Sequence, residues 1–323
     1  MNPVTSLWIV FWVLFLVVSA IDYALASRRE GGMSVKSALR WTVVWVFVAL
    51  TFSGAIYVFH PRGKAIFLEF LSGYLTEYSL SIDNLFVFIL IFSLMGVAEN
   101  AQPKLIKLGI YLSIVLRIVF ILFGIALINR FHWLLYVFGA ALCWTAWKMM
   151  ASGDHEDVDP KHNLLYRLAS KLLPIHQENP PSRHLFTRSN GRFAVTPLFL
   201  VFLVIGSTDV LFAIDSIPAI MGISQDSFVV MTSNVFAVLG LNSLFFAIRG
   251  VMGLFKFLKH GVSLILFFIG AKMIAGIYHP IEDWFKDRPF VSLIVILAVL
   301  ITSVVVSILH DRLAKKPAEA TEV

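Results

Sequence analysis

Two stretches carry residues whose types and spacing could do chemistry: TEYSLSIDNL, residues 76–85, and TDVLFAIDSI, residues 208–217. Each has a carboxylate, five further residues, then an aspartate followed by a small polar side chain. Glu77, Asp83 and Asn84 form the first set; Asp209, Asp215 and Ser216 form the second, with Thr76 and Thr208 just ahead. Carboxylate, amide and hydroxyl oxygens are hard donors. They suit Mg²⁺, Ca²⁺ or Mn²⁺ rather than zinc or copper. The nine histidines fall in predicted loops or near the ends of apolar runs, and Cys143 is the single cysteine. A zinc or copper path would place imidazole or thiolate beside the acids. No G-x-x-x-x-G-K-[ST] phosphate loop is present, so nucleotide hydrolysis is not expected to drive anything. We expect no prosthetic group and no enzymatic reaction.

The elements that must position these acids are read from composition. Hydrophobic residues make up 59% of the 323 and charged residues 14%, where a soluble domain has about a quarter charged. Apolar runs of roughly 20 residues recur, long enough to cross a ~30 Å hydrocarbon core. Period-2 alternation is absent, so the spans read as helices. They fall at about 4–26, 36–60, 67–97, 105–128, 132–152, 194–222, 229–252, 258–279 and 289–310. The expected class is an all-α integral membrane protein of about nine helices. The first run lacks a basic leader, and Arg28 and Arg29 follow it, so it reads as an anchor rather than a cleaved signal. With the N-terminus outside, 16 basic residues fall in inside segments and 5 in outside segments. That bias predicts N-out, C-in. It also explains the net charge of +6 without nucleic acid as a partner; the expected partners are the lipid bilayer, a cation and protons. The segment 153–193 is polar, with an amphipathic LLYRLASKLLP inside it and an acidic run, DHEDVD, that reads as a solvated loop, with a divalent-ion site as the alternative. The tail AKKPAEATEV is expected to be disordered.

The two acidic stretches are related by an offset of 132 residues, which also superposes Ile82 on Ile214, Leu112 on Leu244 and Arg117 on Arg249. The division that follows has two N-terminal helices (1–66), a three-helix repeat (67–152), a cytoplasmic linker (153–193), a second repeat (194–279), a ninth helix (280–310) and a tail (311–323). An odd number of spans per repeat inverts the second copy, a plan that places transport sites at the repeat interface. Buried carboxylates are costly in a bilayer, so acids at matched positions imply a shared interior site. Arg117 and Arg249 can neutralise two of them; protons or a metal ion must answer the rest. At 100° per residue Glu77, Ser81 and Asn84 share a stripe, and Asp83 lies a third of a turn away. Pro218 is expected to kink or break its helix and, with Gly206 and Ser207, to offer carbonyls to a cation. Asp22 is a partner for Arg40 or part of an exit path. Asn234 is a ligand or an interhelical hydrogen bond.

The combination EYSLSIDNLFVF, STDVLFAIDSIPAI and TSNVFAVLGL resembles the TerC/Alx family of bacterial membrane proteins, over roughly residues 5–312. The resemblance implies LysE-like inverted repeats and association of these acids with manganese export, and some members are named for tellurium resistance. Glu77, Asp83, Asn84, Asp209, Asp215 and Ser216 match its motifs, as do Asp22 and Asn234. After VLGL the family usually has arginine, where this chain has Asn242; Arg249 stands further along the same helical face as a substitute. The resulting expectation is an inner-membrane manganese(II) exporter in which Asp83 and Asp215 approach each other and share one ion, with Glu77 and Asp209 as further ligands or proton acceptors. The alternatives are a non-transporting scaffold or insertion factor, carriage of calcium, magnesium or a cationic amino acid, and a role in tellurium resistance.

Overall fold

The computed structural model describes the backbone of residues 2–27, 33–151, 163–175, 184–189, 192–251 and 257–319; the side chains of 22–27, 83, 164, 189, 192, 250–251, 286 and 311–319 are outside the description. The apolar runs form α1 (Pro3–Ser27), α2 (Val35–Phe59), α3 (Gly63–Leu94), α4 (Gln102–Arg130) and α5 (Leu134–Ala151). After the polar segment come α6 (Leu164–Leu172), a hairpin of β1 (Phe186–Ser189) and β2 (Arg192–Val195), then α7 (Pro197–Ile223), α8 (Ser227–Leu239), α9 (Leu241–Val251), α10 (Leu258–Ala275), α11 (His279–Asp287) and α12 (Pro289–Glu319). Among the described residues eight helices are long and apolar enough to span, and α8 with α9 makes a ninth if the bent pair is one crossing.

Side-chain placement is the reverse of a soluble protein's. Phe47, Val43, Trp144 and Trp147 project outward, while Glu77, Arg117 and Asn234 are buried. With lipid as the outer solvent, apolar surface outside and paired polar groups inside is the stable arrangement. The spans are therefore those of an all-α, multi-pass integral membrane protein.

Helix α3 is the mast of the bundle. It is buried over 65% of its span window against 17% for α1, and it packs on α2, α7, α8, α9, α10 and α12. Its small residues allow this: a Cβ on Gly73 would lie 2.9 Å from Ser233 Oγ of α8. It ends at Gly96, whose φ of +61° is the left-handed conformation glycine adopts without strain, and Val97 N–H closes the cap on the Phe92 carbonyl. Rings of α1, α2, α3 and α8 (Phe11, Phe52, Phe70, Phe236) fill one side of the bundle. On the other side α5 and α10 lie backbone to backbone at Gly139 and Gly270.

Three expectations are corrected here. Pro218 does not break α7, which runs continuously from Pro197 to Ile223; neighbouring helices in a bundle tolerate the one lost amide bond. The break lies instead in the run read as one span over 229–252, where α8 and α9 meet at Gly240 with a 44° bend. The tail does not begin at the end of the apolar run either, because α12 continues to Glu319. The amphipathic piece of the polar segment is helical, as α6, and docks on α7 through a 2.6 Å bond from Asn163 Nδ2 to Ser207 Oγ. The DHEDVD run lies outside the described residues.

Candidate functional site

The deepest polar centre is built around Arg117 of α4, one of the largest fully buried side chains. A buried guanidinium is costly unless acidic and hydroxyl groups answer it, and here every nitrogen but Nη2 has a hydrogen-bond or close ion-pair partner. Its Nε donates to Ser113 Oγ one turn back at 3.1 Å. Its Nη1 donates to Ser216 Oγ of α7 at 3.4 Å and pairs with Glu77 Oε1 of α3. Its Nη2 lies 3.8 Å from Asp209 Oδ1 of α7. Glu77 is 0% and Asp209 4% exposed. Both carboxylates stand near the middle of their helices, and the 132-residue offset that aligned them in sequence delivers them to one guanidinium.

Two ionised carboxylates facing one guanidinium leave this centre with a formal charge of −1. Within it Glu77 Oε2 and Asp209 Oδ2 have no hydrogen-bond partner among the described residues, and elsewhere on α3 the buried hydroxyls of Thr76, Ser79 and Ser81 have none either. Asn234 of α8 is 0% exposed, and neither its amide oxygen nor its nitrogen has such a partner, so it does not make the expected interhelical hydrogen bond. Buried orphan polar atoms are rare in proteins and mark strain or a group the protein alone does not supply. Thr208 differs: its hydroxyl bonds back to the Val204 carbonyl at 2.8 Å, within its own helix.

The other predicted residues lie elsewhere. Asp215, six residues past Asp209, points a third of a turn away; it is half-buried and accepts a 3.1 Å hydrogen bond from Thr145 Oγ1 of α5. It is not joined to Glu77 or Asp209, so the acids do not all converge on one point. Asn84 is buried in α3. The backbone of α3 passes through Asp83, and that of α1 through Asp22, but both side chains lie outside the described residues, as does the expected Asp83–Asp215 approach. Arg249 does not serve the interior. It reaches Glu99 and, at 3.2 Å, Gln102, beside the loop between α3 and α4. Asn242 is buried, and lines a small crevice with Lys107. Among the described residues no three His, Cys, Asp or Glu side chains are grouped to hold a metal ion.

Sequence reasoning undervalued a second polar region, at the end of the bundle where α3 begins and α7 ends. A cavity of about 520 Å³ is lined there by Glu69, Ser224, Asp226, Lys272, Glu282 and Ser292, among others. Glu69 accepts a hydrogen bond from Ser224, and Arg62 closes the rim on Asp226 at 3.0 Å. The available signal was an acid and a lysine inside apolar runs that end on the same face of the membrane.

Charged groups held inside a multi-pass helical bundle define a class of polytopic membrane protein whose interior, rather than its surface, carries its chemistry. The chain belongs to the TerC family of integral membrane proteins, whose model matches residues 62–315. It is 40% identical over 308 residues to the uncharacterized membrane protein STKORF319 of Myxococcus xanthus, covering 95% of this chain and 93% of that one. It is 38% identical to the putative membrane-bound redox modulator Alx of Escherichia coli K12, covering 95% and 96%, and to that of Salmonella typhi, covering 99% and 100%. No solved structure matches the chain.

Proposed function

We propose that this protein exports divalent cations, manganese(II) foremost, across the bacterial inner membrane, with its N-terminus outside and its C-terminus in the cytoplasm. The observation that carries the reading is the Glu77–Arg117–Asp209 centre: two buried carboxylates sharing one guanidinium, each with an oxygen that has no hydrogen-bond partner among the described residues. A purely structural ion pair would balance its charges and satisfy its lone pairs. This one is short of one positive charge, which a cation or a proton supplies. Arg117 occupies the place between the carboxylates where a cation would sit. In the proposed cycle, cargo entering from the cytoplasmic side displaces the guanidinium from Glu77 and Asp209 and takes oxygens from them, with the Ser216 hydroxyl, a partner of Arg117, beside them. When the cargo leaves, Arg117 or protons return, which offers coupling to H⁺. Asp83, Asn84 and Asp215 stand further along the same two helices as candidate ligands on the route. Membership of the family and the mid-helix position of both acids support transport over a scaffold. The name redox modulator belongs to the relatives; this chain has Cys143 alone, so a redox role here would act through something other than an intramolecular thiol pair.

The test is cellular manganese content and efflux with Glu77→Gln and Asp209→Asn. Each keeps size and hydrogen bonding while removing charge, and each is expected to abolish export at wild-type membrane levels. Normal efflux from both variants would sink the reading and favour the scaffold, for which a neutral amide at a buried position is harmless.

A further inference from the structure

We propose that the cavity at the start of α3 is the release vestibule of the transport path, where Glu69 receives the divalent cation and the Lys272 ammonium, facing it across the space, keeps that site weak so that the ion leaves. This rests on the transport reading above.

Glu69 lies eight residues before Glu77 on the same helix, about 12 Å along its axis. Ile121 of α4 and Ala213, Ile217 and Met221 of α7 pack in one apolar cluster, and Met221 is also part of the cavity wall. The cavity lining includes Glu69 of α3 but not Glu77, Arg117 or Asp209, so the deep centre is not part of this space.

Glu69 and Lys272 do not form an ion pair. Glu69 takes its hydrogen bond from Ser224. Lys272 Nζ donates to Ser292 Oγ at 3.2 Å and sits 5.4 Å from the centre of the Phe285 ring. Both side chains nonetheless line the same cavity. A structural pair would close the gap; here each charge is held back by a hydroxyl on its own side. Three carboxylates (Glu69, Asp226, Glu282) and two cationic groups (Arg62, Lys272) line the space; Arg62 is taken by Asp226, and Glu282 lies 3.5 Å from His279 Nδ1. With histidine neutral the lining carries one net negative charge, and Lys272 is the counterweight to Glu69. One carboxylate, one hydroxyl and water suit a hydrated divalent ion in transit rather than a storage site. An ammonium fixed nearby repels that ion without competing for its ligands.

The experiment reads Mn²⁺ efflux from proteoliposomes or cells against rising Mn²⁺ on the release side. In Lys272→Met the vestibule holds its ion, and half-inhibition is expected at about tenfold lower external Mn²⁺, the scale of removing one like charge from the same small cavity. Lys272→Arg should behave as wild type, Glu69→Gln should blunt the inhibition, and Glu69→Gln combined with Lys272→Met should restore wild-type tolerance. An unchanged inhibition curve in Lys272→Met overturns the proposal, as does inhibition that persists in the double variant. Should Lys272→Met fail to accumulate, Glu69→Gln alone decides, since an inhibition curve matching wild type there also overturns it. These results are distinct from failure of the transport reading, in which wild-type protein moves no Mn²⁺ or Glu77→Gln moves it normally.

Discussion

At the scale of single residues, the interior separates groups that hold the fold from groups that do not. Arg117 belongs to the first kind. Replacing it with Leu strands two buried carboxylates, and breaking a buried pair in this way costs about 3–5 kcal/mol. Arg117→Leu is expected to lower the protein's membrane level sharply, and adding Glu77→Gln and Asp209→Asn should restore the level without restoring export; quantitative immunoblotting beside efflux checks both. Asn234 is the opposite case. Its amide is buried with no hydrogen-bond partner among the described residues, and an unsatisfied polar group costs about 1–3 kcal/mol. Asn234→Leu should leave thermal stability in detergent unchanged or raised, while reducing Mn²⁺ efflux. A fall in melting temperature would mean that the amide supports the fold. Much of this centre was legible in the sequence, because carboxylates inside apolar runs stand out and an internal offset pairs them. The roles of the two arginines were not. They align at the same offset, yet Arg117 is buried between helices while Arg249 reaches Glu99 at a helix end, a difference set by packing partners distant in sequence.

At the scale of elements, close backbone approach fixes how α5 and α10 sit together. A Cβ on Gly270 would lie 2.6 Å from the Gly139 carbonyl oxygen and 2.8 Å from Cys143 Sγ. Backbone cannot yield as a flexible side chain can, and overpacking costs about 1–3 kcal/mol. Gly270→Val is expected to reduce melting temperature and membrane level, whereas Gly54→Ala, at a position with open space around it, should change neither. The spans themselves were read from hydropathy to within a few residues. The break was misplaced because proline is the louder local signal. At Pro218 the helix continues, and at Gly240, where a glycine that looked unremarkable packs beside Trp45, it bends. Local propensity is a weak guide where neighbouring helices supply the missing contacts. The short helix α11 and the β1–β2 hairpin also went unread, being too short to show a period.

At the scale of the whole molecule, the proposed orientation would place the α7–α8 turn outside and the α3–α4 loop inside. Gln225 and Asn100 are exposed at those two turns. With Cys143 replaced by Ser, a membrane-impermeant maleimide added to intact cells should label Gln225→Cys and spare Asn100→Cys; the reverse pattern would turn the proposed direction of transport around. The close pairing of α5 with α10 has one more consequence. Each is 18 residues long, about 27 Å of helix, while α4 and α7 have 29 and 27 residues. The two shortest spans thus stand side by side, and they meet lipid through Trp144, Trp147, Leu264 and Phe267. A bilayer with a ~30 Å core must pinch inward along that flank, at a cost of fractions of a kcal/mol per ångström. The protein should therefore sense acyl-chain length, working best in thin, short-chain membranes and slowing as the chains lengthen, with the strain concentrated on the α10 that carries Lys272.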